Sequence, residues 1–134
     1  MTTYVRLRLA SESYAIPVDE VAEVAALGDV TPVPGSPPEL LGVRNLRGTI
    51  LPVVDLAVLL KVPRLAPPSR LVVAEGSGRR VGFAVDSVDE VGELAEPTEE
   101  TDSPLLAGAI LSNGDLVGVI DVDRAVDQIK GGHQ

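Results

Sequence analysis

Apolar and polar side chains alternate along residues 3–10. Val5, Leu7 and Leu9 fall on one face, and Tyr4, Arg6 and Arg8 on the other. A period of two over this length predicts a half-buried strand. Ser11-Glu12-Ser13 reads as a turn and Tyr14 to Val18 as the returning strand. The pattern recurs as Leu71 to Glu75, a Gly76-Ser77-Gly78 turn, and Arg80 to Val85. Asp19 and Asp86 follow, each where a helix N-cap would stand. Behind them come Val21 and Val24, or Val88 and Val91, spaced by three, which predicts one short helical turn in each place. A Pro/Gly-rich connection, Gly28 to Pro38, has an acidic counterpart in Glu96 to Pro104. Then come two more hairpins. Leu41 to Leu46 turns at Arg47-Gly48 into Thr49 to Val54, and Leu106 to Leu111 turns at Asn113-Gly114 into Leu116 to Ile120. Asn-Gly between apolar runs is a strong hairpin signal. Leu56 to Leu60 and Val122 to Ile129 predict short closing helices. Val62 to Ser69 carries prolines and links the two series, and Gly131 to Gln134 is a polar tail.

The two series are one unit written twice. Val18-Asp19-Glu20-Val21-Ala22-Glu23-Val24 returns as Val85-Asp86-Ser87-Val88-Asp89-Glu90-Val91, sixty-seven residues on. Gly42, Gly48, Ile50, Val53, Val54, Asp55 and Leu56 return as Gly108, Gly114, Leu116, Val119, Ile120, Asp121 and Val122, sixty-six on. Duplication predicts a mostly β domain built from two half-repeats, about 3–60 and 70–127, with residues 131–134 as a tail. Short antiparallel strands leave open edges unless they curl and close, so two small barrels sharing one interface are expected. Whether the halves exchange a terminal strand is left open at this level.

Composition narrows the chemistry. Apolar residues make up 45% of the chain and aromatics 2%, so the core must be aliphatic and few rings are available to stack on bases. A net charge of −9 repels phosphate backbones and anionic lipid, which argues against nucleic acid and membrane surfaces as partners. There is no cysteine, which excludes disulfides and thiolate chemistry. No signal-peptide pattern opens the chain, and the longest apolar run, Ile50 to Leu60, is interrupted by Pro52 and Asp55. A cytoplasmic protein without cofactor is expected. The single histidine, His133, lies in the tail, away from any Ser-His-Asp arrangement. Gly76-Ser77-Gly78 lacks the Lys-Ser/Thr ending of a phosphate loop, and Glu99-Glu100-Thr101-Asp102 lacks the ligand spacing of a calcium loop. Asp55 and Asp121 are twins at a strand-to-helix junction, where a capping role explains both. No metal site and no catalytic residue is expected.

Where one copy departs from the other, function can be acting on that copy alone. The second hairpin turns on Asn113-Gly114, the first on Arg47-Gly48. Asn tolerates positive φ, whereas Arg has no aptitude for tight turns. Two readings stand for Arg47: a solvated bystander beside a working Gly48, or a recognition arginine held out on a rigid hairpin. Glu23 has a twin in Glu90, so a structural pairing and partner binding both remain open for it.

The stretch "VPGSPPELLGVRNLRGTILPVVDLAVLL" at residues 33–60 resembles the signature segment of the CheW-like chemotaxis coupling family. "SYAIPVDEVAEV" at 13–24 resembles that family's first hairpin, and "LLAGAILSNGDLVGVIDVDRAV" at 105–126 its last hairpin and helix. The resemblance covers nearly the whole chain in order, so residues 1–130 are read as one such domain. It implies two intertwined five-stranded SH3-like barrels. It also implies a non-catalytic adaptor that joins the C-terminal regulatory domain of a CheA-type histidine kinase to the cytoplasmic tip of chemoreceptors in receptor arrays. Val21, Glu23 and Arg47 match the family's partner-binding positions. Gly42 and Gly48 match its structural glycines, with Gly108, Asn113 and Gly114 as their counterparts in the second copy. The chain is shorter than the pattern, in its 96–104 connection and its tail, and poor in aromatics. Alternatives are a single-partner regulatory or decoy domain of a related kinase system, such as pilus motility, and a small-molecule-binding barrel.

Overall fold

The computed structural model describes residues 1–64 and 66–129. The tail expected at 131–134, with His133, lies outside the described residues, as does Leu65 in the proline-bearing link. The chain is mostly β. Its elements are β1 (Thr2–Leu9), β2 (Glu12–Pro17), a 3-10 turn (Val18–Glu20), β3 (Val21–Ala26), β4 (Leu40–Leu46), β5 (Thr49–Asp55) and α1 (Leu56–Leu60). The second series is β6 (Arg70–Gly76), β7 (Arg79–Val85), β8 (Ser87–Leu94), β9 (Leu106–Ser112), β10 (Asp115–Ile120) and α2 (Val122–Gln128).

Two five-stranded sheets form, in the orders β8-β1-β2-β10-β9 and β3-β6-β7-β5-β4. Neither belongs to one repeat. Each repeat gives its first hairpin to the other's sheet, where β2 runs parallel to β10 and β7 parallel to β5. What crosses over is thus a whole hairpin, reciprocally. The exchanged hairpins are covered on both faces. One face lines a barrel interior: Ala15, Val117 and Val119 in the first sheet, or Val53, Leu71 and Val73 in the second. The other faces a core shared between the sheets, with Leu7, Leu9, Ile16, Val72, Phe83 and Val85 against Leu56, Val122 and Val126 of the helices. Burial on both sides explains why Tyr14-Ala15-Ile16 and Leu71-Val72-Val73-Ala74 are apolar without alternation. Each fully buried aliphatic side chain there contributes about 1.5–3 kcal/mol of hydrophobic stabilisation.

The expected helical turns behind Asp19 and Asp86 are corrected. Val18–Glu20 forms a single 3-10 turn without a side-chain cap, and residues 87–94 form strand β8 with no helix before it. Asp86 instead accepts a hydrogen bond from Ala10 N–H at the tip of the β1–β2 hairpin, 2.6 Å away. The apolar spacing of three has another origin. The pairing of β3 slips between Val21 and Glu23, and that of β8 slips opposite Arg6 and Leu7, so Ala22 and its twin Asp89 are bulged residues. A bulge inserts one residue into a period of two. Val21 and Val24 therefore both pack on the shared core. A second pair of twin bulges falls at Leu41 and Ala107, beside Gly42 and Gly108, each at φ 149. Asp55 and Asp121 cap α1 and α2 by accepting from Val58 N–H and Arg124 N–H.

Glu20, at the end of the 3-10 turn, has its carboxyl pushed above the ordinary carboxylate range. Burial is the first cause, and the neighbouring Asp123, Asp19 and Asp121 add to it. A raised folded-state pKa means that the fold binds a proton more readily than the unfolded chain. Stability from this group therefore grows as pH falls through the folded pKa and is lost as pH rises through it. Glu20→Gln should stabilise the fold at neutral pH by about a few tenths of a kcal/mol, as expected for a relieved like-charge contact, and so raise the thermal midpoint slightly. The gain should shrink in acid. Melting curves of both proteins across the acid range check this, and a constant difference would refute it.

Candidate functional site: a braced arginine turn

Arg47 and Gly48 close the β4–β5 hairpin at φ 55 and 85, and Asn113 and Gly114 close β9–β10 at φ 51 and 84. Two successive left-handed residues make the turn whose twist suits a hairpin. Asn enters that conformation readily. Arg does so against crowding of its Cβ by a carbonyl oxygen. Arg47 therefore holds a shape its side chain disfavours, where its twin position carries a residue that suits it. Strain of this kind concentrates at functional positions.

The turn is pinned from within. Asn45 Oδ1 accepts the Gly48 N–H at 2.9 Å. Position 45 corresponds to Leu111 in the other copy, which has no such acceptor. Sequence reasoning missed Asn45, although the Asn45/Leu111 difference stands two residues from the Arg47/Asn113 difference that it used.

From this turn the Arg47 guanidinium reaches Glu23, twenty-four residues away in sequence. Its Nε donates to both Glu23 carboxylate oxygens at 3.2 and 3.3 Å, and Nη2 donates to Oε2 at 3.2 Å. The Arg47 side chain remains 75% exposed and Glu23 30% exposed. The hydrogen bond and charge of Glu23 raise the Arg47 pKa further, so the guanidinium stays charged throughout the physiological range. Glu23 is aimed by the bulge at Ala22, just before it on β3. Val21, on the same strand, does not join the pair: it sits opposite Ala74 and packs, half-buried, on the shared core.

The twin of Glu23 meets different company. Glu90 lies 3.7 Å from Arg6 across the β8–β1 pairing and is 63% exposed. The duplicated glutamate thus has no fixed structural partner, and only the first copy joins it to a turn arginine. Beside that pair, Glu23, Leu46, Arg47, Thr49, Leu51, Val73 and Arg80 line a cleft of ≈ 70 Å³. Small-molecule sites span roughly 300–1,000 Å³, so this cleft is too small for a ligand cavity of that kind. Arg80 is itself paired with Glu75, its Nε donating at 2.8 Å. The cleft therefore presents charges in fixed positions. Among the described residues no group of His, Asp or Glu is arranged to hold a metal ion, and no helix is long and apolar enough to cross a membrane.

The probable chemotaxis protein CheW of Rhizobium etli is 34% identical over 107 residues, which cover 75% of this chain and 69% of that protein. The chemotaxis protein CheW of Thermotoga maritima is 33% identical over 125 residues, covering 88% and 83%. Protein FrzA of Myxococcus xanthus is 31% identical over 115 residues, covering 84% and 70%. Among solved structures, the scaffolding protein TtCheW from Thermoanaerobacter tengcongensis superposes with a TM-score of 0.86 at 26% identity, over 99% of this chain and 92% of that one. The CheW-like domain model matches residues 3–130. With the duplicated barrels, the exchanged hairpins and a match over nearly its whole length, the chain belongs to the CheW-like domain family.

Proposed function

We propose that this chain is a non-catalytic signalling adaptor of the cytoplasm. It couples chemoreceptor tips to a CheA-type histidine kinase through the kinase's C-terminal regulatory domain, in a chemotaxis-like pathway. The observation that carries the reading is Arg47, exposed on a strained turn, braced by Glu23 and absent from the sister barrel. An adaptor works by holding two partners in one geometry. That calls for rigid surfaces with fixed charges, and the braced turn supplies one. Glu23 and Arg47 form the contact edge, and Val21 sets the strand that carries it.

The test compares Arg47→Asn, Arg47→Glu and Asn113→Glu. Arg47→Asn copies the sister turn, so it should fold at least as stably as the parent while binding its partner at least ~10-fold more weakly, as expected for a hot-spot arginine. Arg47→Glu should bind more weakly still, because it leaves Glu23 unpaired and adds repulsion. Asn113→Glu places a charge on the other hairpin and should leave this binding intact. Kinase and receptor binding are titrated separately, with thermal melts alongside. Normal binding by Arg47→Glu removes Arg47 from the interface. Capture of only one partner by the parent protein would favour the single-partner regulatory domain instead.

A further inference from the structure

We propose that Asn113-Gly114 is a site of spontaneous covalent modification, at which Asn113 loses its amide through a succinimide. The reaction needs a side-chain amide next to an unhindered, unengaged main-chain nitrogen. Asn113 and Gly114 are both exposed at the tip of the β9–β10 hairpin. Apart from its chain neighbours, nothing lies within 4 Å of where a Gly114 Cβ would stand, so the glycine sits in open space. The other hairpin is an internal contrast. There the glycine N–H is engaged by Asn45 Oδ1 at 2.9 Å, whereas Gly114 has Leu111 in that position. Asn45 and Asn113 are the chain's only asparagines, and Asn45 is followed by Leu46, whose side chain shields the nitrogen, within paired strand β4. One of the two is open to the reaction and the other is protected.

In the reaction the Gly114 nitrogen attacks Asn113 Cγ. The Cγ–Nδ2 bond breaks, and Nδ2 leaves as ammonia, carrying away the amide proton. Water then opens the five-membered ring. Cleavage between the ring nitrogen and Cγ yields aspartate, and cleavage between that nitrogen and the Asn113 main-chain carbonyl carbon yields isoaspartate. Neither step needs an oxidant or reductant. Either product adds one negative charge to a chain already at −9. The charge appears between Leu111 and Leu116, a cross-strand pair left 66% and 59% exposed. The products differ in structure. Asp-Gly suits the same two-residue turn. Isoaspartate lengthens the main chain by a methylene inside that turn and disturbs the register it sets. Pairing of Asp115 with Ser112 closes the turn and restricts the rotations about Cα–C and Cα–Cβ that bring Asn113 Cγ to the Gly114 nitrogen, so folding slows ring closure without forbidding it.

The experiment incubates the purified protein in mildly alkaline buffer at physiological temperature, followed by intact mass and peptide mapping. The expected result is a gain of one mass unit confined to Asn113, with ammonia release, at a rate that rises with hydroxide concentration. The folded protein should react several-fold more slowly than the chain held in urea, and Asn113→Gln should block the change. Asn113→Asp should melt like the parent, while the isoaspartyl fraction, separated by ion exchange, should melt lower. Conversion at Asn45 at the same rate as at Asn113 would overturn the proposal. So would an unmodified Asn113 in the folded protein after the urea-held chain has fully converted.

Discussion

Gly42→Ala should cost more than about 4 kcal/mol and leave little folded protein, whereas its twin Gly108→Ala should cost about 1–2 kcal/mol and stay folded. Both glycines sit at φ 149 beside equivalent bulges, so the backbone penalty is common to both. Space separates them. A Cβ at position 42 would stand 2.1 Å from the Thr31 carbonyl oxygen and 2.6 Å from its carbon. Thr31 cannot withdraw, because it exchanges hydrogen bonds of 2.8 and 2.9 Å with Val43, the very next residue. At position 108 the nearest atoms are Pro97 Cβ at 3.0 Å and the Glu99 oxygen at 3.1 Å, which a shift of a few tenths of an ångström relieves. Denaturant titration of both variants decides the matter. Equal losses would mean that the dihedral, and not the contact with Thr31, governs. A near-native Gly42→Ala would mean that the β4 bulge is softer than its hydrogen bonds imply.

Arg64→Ala should destabilise the fold by about 3–5 kcal/mol, the range for stripping one partner from a buried ion pair. Asp55 is 1% exposed and caps α1 with one carboxylate oxygen while the other receives Arg64 from the inter-repeat link. Without Arg64 that charge remains in the core beside Leu56 and Val54, both fully buried. Removing both partners should cost less than the sum of the single changes. The second repeat is the control. Asp121 has a side chain 29% exposed and pairs with Arg124 along its own helix at 3.5 Å, so Arg124→Ala should cost well under about 1 kcal/mol. The measurement is a double-mutant cycle by chemical denaturation. An Arg64→Ala loss no larger than that of Arg124→Ala would show that water reaches Asp55.

Arg47 and Glu23 stood out in the sequence as candidates, but the contact between them did not. Arg47 stood out because a two-residue turn imposes positive φ by local sterics, so a departure from Asn at that position shows in the sequence. Glu23 was visible as a member of a duplicated pair and as a match to the family's partner-binding positions. Which arginine it pairs with is decided by the folding of β3 beside the β4–β5 tip. Asn45 went unnoticed for the same reason. Its hydrogen bond to Gly48 closes only once the hairpin register is set. The missed strands β3 and β8 had a different cause. A bulge turns a period of two into a spacing of three, and in a short segment that cannot be told from a helical turn.

The strands of the four hairpins, the Arg47-Gly48 and Asn113-Gly114 turns and the twin caps were determined by the sequence alone, because each rests on local interactions: alternation, turn sterics and side-chain capping. Local interactions repeat wherever the sequence repeats, which is why the two copies agree on Gly42 and Gly108, and on Asp55 and Asp121. The tertiary structure decided which sheet each hairpin joins, which arginine meets which glutamate, and where Asp55 finds its counter-charge. Those choices depend on burying both faces of the exchanged hairpins between a barrel interior and the shared core. Apolar burial is non-directional, so no local pattern records which partner supplies the cover.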